Sequence, residues 1–335
     1  MPPEFGKVFM PQLIDNYQRK FEYLRLSITD VCNFKCTYCL PNGYKPEGRK
    51  QFLTLPEIKQ LVSVFAQLGT KKVRITGGEP SLRKDFCDII AAAKRTQGIE
   101  KVATTTNGYR LAKDAHAWRD AGLDAINVSI DSLDPRLFHQ ITGENLFAKV
   151  MAGVETALKL DFQAVKVNTV LMRQLNAHQL GEFLHWIKDL PVQLRFIELM
   201  QTHDNHDLFQ QQHVAGSTIM KQLLAQGWVE KIRQSTDGPA RVFAHPDYAG
   251  EVGLIMPYEA HFCDSCNRLR VSSLGRLHLC LFGEQGVDLR DLLQHPEQAA
   301  QLQQRVLDEL KTKRVSHFLQ QGDLGGTVHL ASIGG

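Results

Sequence analysis

The first two hundred residues alternate between short apolar runs and longer stretches whose apolar residues recur three or four positions apart. The runs YLRLSI (23–28), KVRIT (72–76), KVATTT (101–106), AINVSI (125–130), AVKVNTV (164–170) and QLRFIEL (193–199) read as strands, being short and rich in β-branched residues. LPEIKQLVSVFAQLG (55–69) and LGEFLHWIKDL (180–190) carry helical spacing. Pro56 suits a first turn and Gly69 a helix end. Six strand–helix repeats predict a parallel sheet with helices outside. A doubly wound sheet would satisfy the same pattern. An α/β fold with an incomplete (βα)6 barrel of TIM type is preferred, because polar motifs recur just after successive strands, where such barrels place their active sites.

After about residue 215 the pattern changes. STIMKQLLAQGW reads as a helix, followed by strand-like pieces at 240–245, 252–256, 268–273 and 276–281. Residues 288–313 look helical, and the glycine-rich end QGDLGGTVHLASIGG looks extended. Two regions are therefore expected: a partial barrel over 1–215 and a C-terminal α+β extension over 216–335.

Composition narrows the classes. Of 335 residues, 43% are hydrophobic and 22% charged, as in ordinary globular proteins. A net charge of +3 is too mild to argue for a nucleic-acid partner, but it suits a small anion if focused in one cleft. No apolar stretch approaches the ~18 residues of a membrane span, and the N-terminus lacks the apolar run of a signal peptide. A cytoplasmic protein with no membrane contact is expected. A reducing compartment disfavours structural disulfides, so the seven cysteines need another explanation. Cys87, in KDFCDIIAAAKR, reads as an inert, buried helix residue. The other six form two triplets.

Cys32, Cys36 and Cys39 are spaced C-x3-C-x2-C, and no histidine precedes His116 to complete a zinc site nearby. Three thiolates can hold three irons of a cubane and leave the fourth open, as a reactive centre requires. Cys263, Cys266 and Cys280 are spaced C-x2-C-x13-C. Taken alone they fit either a zinc ribbon, with His261 or His278 as fourth ligand, or a second open cluster. His203, His206 and His213 lie in polar company and read as solvated surface.

Charges interrupt the apolar strands. Arg25 lies between two leucines, Arg74 between Val73 and Ile75, and Lys166 between two valines. Arg268 and Arg270 flank Leu269, and on a strand they point to one face. Parallel strands are commonly buried on both faces, and a buried charge needs a partner. An anion in the barrel mouth would pair all of these cations; salt bridges to Glu79, Asp131 or Glu198 are the alternative. The phosphate loop G-x-x-x-x-G-K-[ST] does not occur, so a polyphosphate would be held by discrete arginines and lysines.

The C-x3-C-x2-C spacing with Tyr38 before Cys39, together with ITGGEPSLR (75–83), resembles the radical S-adenosylmethionine superfamily. YLRLSITDVCNFKCTYCLP, VRITGGEPSLR, TTTNGYRL, INVSIDSL, VKVNTVLM, LRFIELM, FCDSCNRLRVSSLGRLHLCL and the terminal Gly334-Gly335 resemble, in order, the GTP 3′,8-cyclase family of molybdenum cofactor biosynthesis. Val31 and Leu40 depart from that pattern without touching a ligand.

The resemblance implies two 4Fe–4S clusters, the first on Cys32, Cys36 and Cys39 and the second on Cys263, Cys266 and Cys280. It implies S-adenosylmethionine at the open iron of the first, contacted by Tyr38, Gly78, Ser129 and Met200. It places GTP against the second cluster and against Arg25, Arg74, Thr105, Lys166, Arg268, Leu269 and Arg270. Arg268, Arg270, Gly334 and Gly335 would share in catalysis, with the tail reaching into the site where sequence alone would predict a frayed end. A 5′-deoxyadenosyl radical would take the ribose 3′ hydrogen, and the product would be 3′,8-cyclo-7,8-dihydro-GTP. A reducing electron donor, handover to cyclic pyranopterin monophosphate synthase and a homodimer fit the same reading. The competing readings are another two-cluster radical enzyme and a non-enzymatic zinc-binding interaction module.

Overall fold

The computed structural model describes residues 12–46, 51–232, 237–283, 286–326 and 333. Strands β1 (Tyr23–Ser27), β2 (Lys72–Thr76), β3 (Lys101–Thr106), β4 (Ala125–Ser129), β5 (Ala164–Leu171) and β6 (Val192–Glu198) pair in parallel, in chain order. Helices α1 (Leu55–Gln67), α2 (Phe86–Arg95), α3 (Leu111–Asp120), α4 (Pro135–Thr142), α5 (Phe147–Lys159) and α6 (Leu180–Trp186) fall between these strands. The expected (βα)6 core is present, and its strands start and end within a residue or so of the apolar runs.

Beyond β6 come α7 (His206–Gln212), α8 (Gly216–Ala225) and the strands β7 (Val229–Glu230), β8 (Arg241–Ala244) and β9 (Glu251–Ile255). They are followed by β10 (Arg268–Val271), β11 (Arg276–His278), β12 (Val287–Asp288) and α9 (Ala299–Leu310). These later strands widen the core sheet at both edges. β9 pairs in parallel with β6, and β10 pairs in parallel with β1. Among the described residues the order is β12-β11-β10-β1-β2-β3-β4-β5-β6-β9-β8-β7.

Alternation divides each core strand between two faces. Leu24, Leu26, Val73, Ile75, Val102, Ile126, Val128, Val167, Leu194, Leu269 and Val271 are buried in the hydrophobic core. Helix α1 meets that core with Ile58, Leu61, Val62 and Phe65, which share one helical face. Between α2 and α3, the Phe86 and Trp118 rings pack edge to face at 5.2 Å. The intervening strand residues, including Arg25, Arg74 and Lys166, turn the other way, into the concave side of the sheet.

The helix expected over 288–313 is shorter. Short 3-10 turns occupy Arg290–Leu292 and Pro296–Gln298, and the α-helix begins only at Ala299. Pro296 is the reason, since a helix-interior proline donates no hydrogen bond and clashes with the preceding turn.

Helix α1 is tied to this C-terminal segment. Thr54 and Glu57 form a capping box, and Arg290 Nε donates to Glu57 Oε1 at 2.8 Å. Burial alone would raise the Glu57 carboxyl, but hydrogen bonds from Arg290, the Thr54 main chain and Gln294 bring it from 4.5 to about 2. A carboxylate with a depressed value stabilises the fold above its unfolded value and loses that contribution as pH falls through the folded one. Thr54→Ala should cost about 0.5–2 kcal/mol in urea unfolding. Glu57→Gln should weaken the fold near neutrality and flatten the wild-type loss of stability between about pH 4.5 and pH 2; equal acid sensitivity in both proteins would refute that contribution.

Candidate active site

The loop after β1 carries the first triplet, and the loops after β2, β3 and β4 hold it. Gly78 N donates to Thr29 O at 2.8 Å and Glu79 N to Val31 O at 2.8 Å. Asn107 Nδ2 donates to Asn33 Oδ1 at 2.9 Å, and Tyr38 Oη to Asp131 Oδ2 at 2.8 Å. Lys35 N and Thr37 N donate to the carbonyls of Thr142 and Ile141, at the end of α4. A side chain at Gly78 would put its Cβ 2.5 Å from Val31 O and 2.6 Å from Asp30 O. Both obstacles are main chain, so only glycine lets the two loops approach this closely.

Burial pushes the Cys32 thiol up to about 11, and burial followed by the Asp131 charge pushes Cys36 well above its ordinary range. Thiols so held do not ionise near neutrality by themselves; a metal that takes the thiolate supplies what burial withholds. Asp131 is itself raised to about 6 by burial.

The second triplet lies at the opposite end of the same strand pair. Cys266 stands two residues before β10, which runs parallel to β1, whereas Cys32 stands five residues after β1 ends. β11 runs antiparallel to β10, which returns Cys280 to the end where Cys263 and Cys266 sit. A five-residue strand places about 16 Å between its ends. Burial alone would raise Cys266, but Arg268, Lys313 and Arg19 bring it down to about 7. His261, a candidate zinc ligand, turns to solvent with its side chain 90% exposed and pairs with Asp264.

A cavity opens from the second triplet over the concave face of the sheet. Tyr23 and Arg25 of β1, Lys72 and Arg74 of β2, Arg195 of β6, Arg268 and Arg270 of β10, Met200 and all three cysteines of the second triplet line it. Parallel register sets Arg25 beside both Arg74 and Arg270, and Tyr23 beside Lys72 and Arg268. The carboxylates that offered the alternative pairing are engaged elsewhere. Glu79 accepts from Ser81, Thr106 and the Asn107 main chain, Asp131 from Tyr38 and Val170 N, and Glu198 lies against His213.

Burial and then neighbouring cations lower Lys166 to about 6, and burial is also the leading cause that lowers Arg25 and Arg195 to about 10. Burial would raise Tyr23, but Arg74, Arg25 and Lys72 hold its hydroxyl well below the usual range. So many cations on one concave face repel one another until an anion arrives.

The other expected residues fall around this cavity in different ways. Lys166 opens onto an adjoining cavity shared with Arg195, and its ammonium donates to Gln193 Oε1 at 2.9 Å. Thr105 Oγ1 accepts from Arg74 Nη1 at 3.2 Å. Ser129 ends β4, and Met200 follows β6 by two residues. Leu269 turns its side chain into the core, 1% exposed, so any contact it makes with a ligand is through main chain. Gly334 and Gly335 lie outside the described residues. Ile333, just before them, is buried, and its carbonyl accepts from Arg270 Nη1 at 3.3 Å.

Arg195, Lys72 and Tyr23 were not singled out from sequence. Arg195 gave the same signal as Arg25, a cation between Leu194 and Phe196. His213 corrects the solvated reading: its Nε2 lies 2.8 Å from Glu198 Oε1, and its ring packs on Phe209 and Tyr258.

An incomplete barrel with a three-cysteine loop and a glycine-rich loop at its C-terminal rim defines a radical S-adenosylmethionine enzyme. The Radical SAM superfamily model matches residues 26–187, and the Molybdenum Cofactor Synthesis C model matches residues 192–319. The chain belongs to the GTP 3′,8-cyclase family. It is 65% identical over 326 residues to the GTP 3′,8-cyclase of Vibrio parahaemolyticus, covering 97% of this chain and 98% of that protein. To that of Psychromonas ingrahamii it is 62% identical over 337 residues, covering 100% and 99%. Streptococcus suis SuiB bound to S-adenosylmethionine shares the fold, with a TM-score of 0.58 at 12% identity over 88% of this chain and 68% of that one.

The family's cofactors are two 4Fe–4S clusters and S-adenosylmethionine, and the donor sets fit them: two groups of three half-buried cysteines, none in a disulfide. Gly78→Ala should drive the cysteine loop from its place, so the reconstituted variant should hold roughly half the wild-type iron and lose S-adenosylmethionine binding. Full iron and unchanged binding would show that the loops tolerate the extra methyl.

Proposed function

We propose that the protein converts GTP to 3′,8-cyclo-7,8-dihydro-GTP, the first step of molybdenum cofactor biosynthesis. The observation that carries this reading is the cation-lined cavity that the second cysteine triplet helps to line, on the strand pair whose other end leads into the first triplet. Cys32, Cys36 and Cys39 hold the first cluster, and Cys263, Cys266 and Cys280 the second. S-adenosylmethionine bound at the first cluster would supply the radical chemistry that removes the ribose 3′ hydrogen.

The chain's own residues bind, orient and enclose. Tyr38, Gly78, Ser129 and Met200 form the S-adenosylmethionine side. Arg25, Arg74, Arg268 and Arg270 hold the triphosphate and ribose, with Thr105 orienting Arg74. Lys166 and Arg195 extend the cationic surface, and the main chain of Leu269 borders it. Guanidinium groups suit this task because they pair bidentately with phosphate and stay charged. Arg268 and Arg270 stand beside the reacting nucleotide. Gly334 and Gly335, which lie outside the described residues, share in catalysis in this reading. Enclosure keeps a reactive radical from solvent.

Residues 1–215 thus provide the radical-forming barrel and part of the substrate surface, and residues 216–335 the second cluster and the rest of that surface. The reaction draws on a reducing electron donor and passes its product to cyclic pyranopterin monophosphate synthase in the cytoplasm. Among the described residues no helix is long and apolar enough to cross a membrane. A homodimer is compatible with this arrangement, and neither nucleic acid nor membrane takes part.

Anaerobic incubation with GTP, S-adenosylmethionine and reductant should yield methionine, 5′-deoxyadenosine and the cyclised nucleotide by mass spectrometry. Turnover of ATP or a peptide in place of GTP would reject the reading. Arg268→Ala should lose about 1.5–3 kcal/mol of binding, roughly 10- to 150-fold in GTP affinity. Because Lys166 sits at about 6 when no anion is bound, an arriving triphosphate raises it, and GTP binding should take up a proton as pH climbs above that value. Affinity should then fall by up to about tenfold per pH unit, the limit for one linked proton. Calorimetry in buffers of differing ionisation enthalpy measures this uptake; Lys166→Met should abolish it, and uptake persisting in that variant would assign the proton elsewhere.

A further inference from the structure

Lys313 follows α9 and is only 6% exposed. Its ammonium donates to the carbonyl of Leu279, the residue before Cys280, and lies 5.5 Å over the Phe21 ring. It lines one cavity together with Cys263, Cys266 and Cys280. Among the described residues no carboxylate pairs with it. One carbonyl and one ring face do not neutralise a buried ammonium, and a buried charge left without a counter-charge is costly.

Arg19 makes the contrast. It is also buried, and its guanidinium donates to Asp15 Oδ2 at 2.6 Å, so its charge is balanced within the fold. Its remaining hydrogens reach the carbonyls of Cys263 at 3.1 Å, Val315 at 2.7 Å and Arg314 at 2.8 Å. Arg19 therefore fixes where the Cys263 loop and the 314–315 segment lie. Lys313 fixes the Cys280 loop and brings a charge that no carboxylate among the described residues balances.

The first triplet has the opposite surroundings. Asp131 and Glu79 are the charged groups beside Cys36 and Cys32. An iron–sulfur cluster on three thiolates carries net negative charge, and nearby charges help set its reduction potential. Carboxylates beside the first cluster oppose its reduction and make it the stronger electron donor. An ammonium beside the second favours added electron density there.

We propose that Lys313 is the built-in counter-charge of the second cluster, a positioning residue that holds the Cys280 loop through Leu279 and raises that cluster's reduction potential above that of the first. The inference rests on the reading that Cys263, Cys266 and Cys280 hold a cluster. Outer partners of this kind tune a metal centre without touching it.

The test compares full-length reconstituted wild type with Lys313→Met, which keeps the stem and removes the charge, and Lys313→Arg, which keeps the charge. Iron analysis and a reductive titration followed by electron paramagnetic resonance are the readouts. Wild type should show two signals, with the second cluster reduced first. Lys313→Met should retain both clusters and move the second midpoint to lower potential while the first stays in place, and Lys313→Arg should restore it. A second midpoint that does not move in Lys313→Met overturns the proposal.

If Lys313→Met sheds half its iron, the charged variant decides. Iron kept by Lys313→Arg supports the counter-charge. Loss in both variants reduces Lys313 to a prop for Leu279, and the proposal falls. Wild type with a single cluster would instead sink the cluster assignment itself, and this inference with it.

Discussion

The parallel pairing of β10 with β1 is the constraint on which the site depends. β1 leads into the loop of the first cysteine triplet, and β10 begins two residues after Cys266 of the second. Because the two strands run the same way, the triplets are forced to opposite ends of the strand pair. An antiparallel pairing would bring both to one rim and leave no space for a substrate between them. The same register stacks Arg25 between Arg74 and Arg270, so it also fixes where the positive charge accumulates.

That charge is tolerated because of how the strands alternate. One face of each core strand packs its leucines, isoleucines and valines into the helices, and this burial is ample to hold the sheet. The other face is free to carry arginine and lysine, at the cost of mutual repulsion. Lys166, brought to about 6 by burial and then by neighbouring cations, registers part of that repulsion. A binding surface strained in this way gains most from a ligand of high negative charge. The electrostatics of this surface therefore favour a polyanion.

The two triplets look alike in sequence but differ in setting. The first is enclosed by carboxylates and by loops that only Gly78 allows to approach. The second is enclosed by Arg268, Lys313 and Arg19. Similar ligand sets are thus given different work by their neighbours, one suited to delivering an electron and the other to receiving an anionic substrate.

Much of this was legible from residues in local order. The six core strands, both triplets and the cations at 25, 74, 166, 268 and 270 follow from periodicity and spacing, which are properties of short segments. The same signal at Arg195 passed unnoticed, and Tyr23 and Lys72 gave none, because their importance comes from register with neighbouring strands and not from their own. His213 looked solvated in its polar segment, yet packing against Glu198, Phe209 and Tyr258 half-buries it. The long helix expected over 288–313 yielded to Pro296. By itself the sequence determined the ligands, the strands and the kind of charge they carry, since each depends on residue type and local spacing. Only the tertiary structure decided which cations share a cavity, which carboxylates are already occupied and which cluster sits beside Lys313, because those are contacts between residues up to about three hundred positions apart that no local pattern encodes.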